Sequence, residues 1–175
     1  DRVAFKALSA GDERIRYVHN ESPGRFNALV VALKHCHTEL IFNQDFDDVP
    51  TLERIEHQVS ALLENENLAA VGGWYLASYD DSGIVEEHFD VLDSEAIRKI
   101  LPFWFPFAHS FCGFRKSALL DVGGYPLGYV LEDGIIWSRI IGKGYDVAIV
   151  EALVGTHYIH KNTTFGKTKG QFGRE

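Results

Sequence analysis

Leu52, Ile55, Val59, Leu62 and Leu63 recur at helical spacing, with Glu53, Arg54, Glu56 and Gln58 on the other faces, which predicts an amphipathic helix. Just before it, Leu40-Ile41-Phe42 is a short apolar run bounded by polar residues and reads as a buried strand. Residues 15–18 read as another short strand. Asn20-Glu21-Ser22-Pro23-Gly24 is turn chemistry, and helix-forming residues follow over 28–35. Residues 68–79 read as a strand interrupted by Gly72-Gly73, and Asp80-Asp81-Ser82-Gly83 turns it into a second run over 84–89.

Further along, 94–101 is a short helix that Ser94 can cap and Pro102 follows. An aromatic stretch, 103–107, precedes a strand at 111–114 and a short helix at 116–122 closed by Gly123-Gly124. Glu132-Asp133 opens a helix with Ile136, Ile140 and Ile141 on its buried face, ending at Gly142-Lys143-Gly144. Residues 146–153 form a further strand. From Lys161 the chain has no apolar pattern, so 161–175 is expected to be a disordered tail. The early alternation of strands and helices predicts one α/β domain over 1–160, its sheet mixed and mainly parallel, flanked by helices.

Composition narrows the function more than the fold. The chain has 175 residues, 46% of them hydrophobic, which is enough for one sizeable core. Its 17 basic and 25 acidic residues give a formal charge of -8, which argues against non-specific nucleic-acid binding or adhesion to an anionic membrane. No apolar run approaches the ~20 residues of a membrane span. Two cysteines, Cys36 and Cys112, fit reduced thiols better than a disulfide framework. The chain opens on Asp1 and contains no Met, which suggests a piece of a longer protein.

Four constellations could carry chemistry. Asp45-Phe46-Asp47-Asp48 follows the Leu40–Phe42 run, at a strand end of the kind where open α/β sheets bind ligands. Carboxylates so concentrated call for a cation, and hard oxygen donors suit Mg2+ or Mn2+. A solvated acidic loop is the plainer alternative. Glu132-Asp133 stands at a helix start, where a charged carboxylate is favoured; it suits either a general base or ordinary capping, and Arg139 could hold one of the pair. His157 and His160 are three apart, so on a continuous strand at most one would point at a given site. The last group runs from Phe107-Ala108-His109-Ser110 through Phe114-Arg115-Lys116 to Val122-Gly123-Gly124-Tyr125, where a plain turn competes with a ligand loop.

Taken in order over about 15–164, these motifs resemble bacterial glycosyltransferase family 2, with its GT-A fold. The resemblance implies transfer of a sugar from a nucleotide diphosphate-sugar donor to a hydroxyl-bearing glycan or lipid-linked acceptor, with inversion and with Mg2+ or Mn2+. It places Asp45 towards the donor ribose, Asp47 and His160 on the metal (His157 being the fallback), Asp133 as the general base, and Arg25 near the nucleotide. It also implies polysaccharide biosynthesis in the cytoplasm, peripheral at the inner face of the membrane. Departures from the family pattern fall at Val30, Pro50, Phe105 and Gly134. The family's first strand, helix and second strand are not recognisable, so 1–160 is expected to be a partial catalytic domain lacking the first βαβ elements. The alternatives are a degenerate, non-catalytic domain of this fold and a sugar-phosphate nucleotidyltransferase.

Overall fold

The computed structural model describes residues 10–22, 24–101, 108–126 and 132–160, the side chains of Phe26 and Glu132 excepted. The stretch 103–107 and the tail 161–175, both singled out above, lie outside these residues.

Helix α1 (Arg25–His35) leads into β1 (Leu40–Phe42), then the short β2 (Val49–Pro50) and helix α2 (Arg54–Glu64). The long strand β3 (Leu68–Tyr79) forms a hairpin with β4 (Val85–His88), and α3 (Ser94–Ile100) follows. A 3-10 turn (His109–Phe111), β5 (Gly113–Arg115), α4 (Lys116–Asp121), α5 (Glu132–Gly142) and β6 (Asp146–Ile159) complete the described fold. The strands make one sheet in the order β1-β5-β3-β6-β2, with β4 on β3.

Alternation along the strands sends side chains to two cores, one per face. On one face Ile41, Ala70, Phe114 and Val147 pack against Leu33 of α1, Ile97 of α3, Leu119 of α4 and Trp137 and Ile140 of α5. On the other, Leu68 and Val71 pack against Leu62 of α2, with Leu40, Phe42 and Ala148 beside them. The result is an α/β sheet covered on both faces.

The sheet is mixed, as expected, and its longest ladder, β3 with β6, is parallel. The other described ladders are antiparallel. The β3/β4 pair has no alternative, because its connection, with Gly83 at φ 66°, is too short for a crossover.

Several local expectations need correction. Residues 15–18 form no strand; Ile15, Tyr17 and Val18 are exposed, and no ladder supports them. The cap of α3 is Asp93, whose carboxylate accepts from Ala96 N–H at 2.8 Å, while Ser94 donates instead to the Val147 carbonyl at 2.7 Å. Gly72-Gly73 does not interrupt β3: a Cβ at Gly73 would collide with Val154 of β6, so the glycine lets the two strands close up. The largest correction concerns α2. Leu52 is 96% exposed and Ile55 and Leu63 also face solvent, whereas Arg54, Gln58 and Leu62 are buried. The helix forms as predicted but buries a polar ridge, for a reason that lies in the adjoining loop.

Candidate active site

The segment between β1 and β2 carries the acidic cluster, and three neighbours hold it in shape. From α2, Arg54 is 2% exposed and reaches Gln44 Oε1 with Nη1 at 2.7 Å, the Asn43 carbonyl with Nη2 at 2.7 Å and Gln58 Oε1 with Nε at 3.1 Å. Gln58 in turn donates to the Phe111 carbonyl at 2.7 Å, and the guanidinium lies over the Phe111 ring, 5.3 Å from its centroid. A buried guanidinium is tolerable only when its donors are satisfied, and loop carbonyls do that here. Arg54→Leu is expected to cost roughly 3–5 kcal/mol of stability, because it leaves the buried Gln58 oxygen and the part-buried Asn43 carbonyl without their donor and frees Gln44 from the helix. Chemical denaturation of the purified protein reads this directly.

The second support is the 3-10 turn. Ser110 Oγ accepts from the Asp45 N–H at 3.1 Å and donates to the Asp48 carboxylate, so one hydroxyl ties two residues of the loop. The Asn43 N–H bonds the Cys112 carbonyl at 2.9 Å. The third support is β6, which brings His157 Nδ1 to 2.9 and 3.0 Å from the Asp48 oxygens and the Tyr158 N–H to 2.9 Å from Oδ1.

These bonds separate the three aspartates. Burial alone would push the Asp48 carboxyl up, but the bonds from His157, Ser110 and Tyr158 together bring it below its ordinary value. Its side chain is 0% exposed and its oxygens are taken. Burial pushes the Asp45 carboxyl up; Arg25 opposes this, and the charges of Asp48 and Asp47 add to it. Asp47 is half exposed.

Of the residues expected at the site, Asp45, Asp47, Arg25 and His160 lie together. One carboxylate oxygen from each of Asp45, Asp47 and Asp48 lies within 4.8 Å of the others. Arg25, the first residue of α1 rather than part of the turn before it, places Nη2 3.3 Å from Asp45 Oδ2. His160 Nε2 lies 3.6 Å from Asp47 Oδ2. Both histidines therefore meet the cluster, which the strand argument disfavoured. The strand ends at Ile159, so alternation no longer governs His160. Asp133 sits half-buried in the first turn of α5, its Oδ1 accepting the Gly134 N–H at 2.9 Å. Burial pushes the Cys112 thiol up, Arg54 opposes, and the charges of Asp133 and Asp45 both add to the rise. Cys36 and Cys112 are free thiols, and Arg139 is exposed.

With Asp48 committed elsewhere, Asp45 and Asp47 could offer oxygens to a divalent cation, and His160 Nε2 lies beside Asp47. Hard carboxylate oxygens suit Mg2+ or Mn2+. Arg54, Gln58 and Asn43 are not among the residues expected at the site, whereas His109 and Ser110 belong to the run singled out as a candidate ligand loop. Arg54 and Gln58 carried a faint signal, since with Leu62 they form an i, i+4, i+8 line.

The mixed sheet with helices on both faces and an acidic loop after β1 has the arrangement of the GT-A fold. The structure superposes on the mannosyltransferase PcManGT of Pyrobaculum calidifontis, solved with GDP-Man and Mn2+, with a TM-score of 0.61, 18% identity and coverage of 89% of this chain and 42% of that one. The sequence goes further. Residues 2–123 match the model of glycosyl transferase family 2, and the chain belongs to that family. It is 31% identical over 132 residues to the O-antigen biosynthesis glycosyltransferase WbnJ of Escherichia coli, covering 75% of this chain and 51% of that protein. It is 27% identical over 120 residues to the UDP-Gal:alpha-D-GlcNAc-diphosphoundecaprenol beta-1,3-galactosyltransferase of Escherichia coli, covering 67% and 42%. The chain spans about half the length of the curated relatives it matches. Among the described residues no helix is long and apolar enough to cross a membrane.

Proposed function

We propose that the protein containing this chain transfers a sugar from a nucleotide diphosphate-sugar to a hydroxyl of a growing, lipid-linked glycan, with inversion, in polysaccharide assembly at the cytoplasmic face of the membrane. The observation that carries this reading is the pairing of Arg25 with Asp45 and of His160 with Asp47 around one acidic loop. Family membership supports the reaction class, and the relative named for a diphosphoundecaprenol substrate supports the acceptor class.

Asp45 faces the donor ribose and Arg25 the nucleotide. Asp47 and His160 hold the Mg2+ or Mn2+, with Asp45 beside them. When bound, the ion neutralises the diphosphate and makes it a better leaving group. Asp133 accepts the proton of the acceptor hydroxyl as its oxygen attacks the anomeric carbon. A new carbon–oxygen bond forms there, and the bond to the diphosphate breaks with its electron pair leaving on the phosphate oxygen. Attack from the face opposite the leaving group inverts the anomeric centre. Asp48, Ser110, His157 and Arg54 touch no substrate in this scheme; they hold the loop in place.

Titration calorimetry of the full-length protein with UDP and with GDP, each with and without Mn2+, tests the reading. Binding of one nucleotide that needs the ion, followed by transfer of labelled sugar to a membrane lipid extract, is the expected result. If neither nucleotide binds with Mn2+ or Mg2+, the reading fails.

A further inference from the structure

His109 is used by no step above, yet it is 5% exposed and lies at the middle of a polar chain that ends on the acidic loop. The Tyr125 hydroxyl is 3.1 Å from Asn43 Oδ1, Asn43 Nδ2 is 2.9 Å from His109 Nε2, and His109 Nδ1 is 3.4 Å from Arg25 Nη2. The same Arg25 nitrogen is 3.3 Å from Asp45 Oδ2. Phe114, Tyr125 and Trp137 surround the ring, their centroids 5.9–6.3 Å from its own.

Valence decides how this chain is wired. A neutral imidazole has one acceptor nitrogen and one N–H, whereas both ring nitrogens here face nitrogen donors. The guanidinium of Arg25 cannot reverse, since it has donors only. The Asn43 amide can, because its oxygen and nitrogen are near-isosteric and are told apart by their partners. Nδ1 is therefore the acceptor, towards Arg25. Nε2 carries the proton and donates it to the amide oxygen, and the amide NH2 turns to the Tyr125 hydroxyl.

We propose that His109 is a positioning residue: as a neutral acceptor at Nδ1 it holds the Arg25 guanidinium against Asp45 and so sets donor affinity without touching the reacting atoms. The link to affinity rests on Arg25 facing the nucleotide, as proposed above. Burial, and then the nearby Arg25 charge, push the His109 pKa down to about 3, so the ring does not compete with Arg25 as a second cation. The Arg25 side chain is 42% exposed, and an arginine already held in place gives up less rotamer entropy when a ligand orders it.

Two amide replacements separate this role from packing. His109→Asn places an amide near the Nδ1 position and His109→Gln near the Nε2 position. In the full-length protein, His109→Asn is expected to keep the donor KM within about threefold, while His109→Gln raises it about tenfold with kcat little changed. In an Arg25→Ala background His109→Gln is expected to add nothing further. If both variants behave alike, or if kcat falls while KM holds, the proposal is overturned.

Nitrogen-15 spectroscopy of the ring tests the contact without any ligand or turnover. A protonated Nε2 and a bare Nδ1 whose resonance moves in Arg25→Gln are expected. A protonated Nδ1, or one blind to Arg25→Gln, refutes the contact even if every His109 variant fails to fold. Should the expected ring signature appear in a protein that binds no nucleotide, the contact stands and its role in affinity falls together with the proposed function.

Discussion

Asp47→Asn in the full-length protein is expected to lower kcat/KM by about a thousandfold or more, roughly 4 kcal/mol of transition-state stabilisation, while leaving the fold as stable as before or slightly more so. The two halves of this expectation come from one geometry. Asp47 has 51% of its side chain exposed and shares a 4.8 Å neighbourhood with two other carboxylates. Unit charges at such a separation repel by about 3 kcal/mol at an effective dielectric of about 20, and solvent lowers that further for a half-exposed group. Neutralising Asp47 therefore relieves strain in the apo protein and removes a ligand from the loaded one. Asp48→Asn should behave in the opposite way. That carboxylate is fully buried and bonded to His157, Ser110 and the Tyr158 N–H, so its loss damages the loop itself. Thermal melting and Mn2+ titration of both variants separate the cases. A protein whose melting temperature drops in Asp47→Asn, or which still binds Mn2+ with wild-type affinity, would sink the assignment of Asp47 to the metal.

The same contrast shows what could be read in the sequence. Elements with a simple period were legible: the Leu40–Phe42 strand, the turn into β4 and the helix opened by Glu132 all stand where the pattern placed them. The period of α2 was legible as well, but its orientation was not. Apolar periodicity treats Leu52 and Leu63 as the inward face, and it cannot foresee that Arg54 and Gln58 will satisfy the carbonyls of Asn43 and Phe111. Likewise Ser94 looked like a cap because serine commonly caps, while Asp93 one position earlier does the work. At the site, the residues that could be named in advance were those with charge or metal affinity in a recognisable order. Arg25 and Asp45 are 20 positions apart, and Asp47 and His160 are separated by most of the chain; only the sheet brings the second pair together. Ser110 and His109 stood out only within a run that a plain turn explained equally well, and Asn43 had no signature, since their function consists of hydrogen bonds to segments remote in sequence.

Asp133→Asn is expected to reduce kcat by about 10²–10⁴-fold, the usual share of a general base, with the affinity for nucleotide and Mn2+ changed less than twofold. Asp133 belongs to α5, whereas the donor-side residues belong to the loop after β1 and to the ends of α1 and β6. Removing its charge therefore leaves the Arg25–Asp45 and His160–Asp47 contacts intact. Asparagine preserves the side-chain oxygen that accepts the Gly134 N–H, so the first turn of α5 keeps its internal bond. What is lost is the capacity to take a proton. Glu132→Gln is the decisive comparison, because the two carboxylates are adjacent and a base misassigned by one residue would exchange their phenotypes. Full turnover in Asp133→Asn together with collapse in Glu132→Gln would move the base to Glu132. Loss of nucleotide binding in Asp133→Asn would instead assign Asp133 to the donor pocket, and the proton would then need another acceptor.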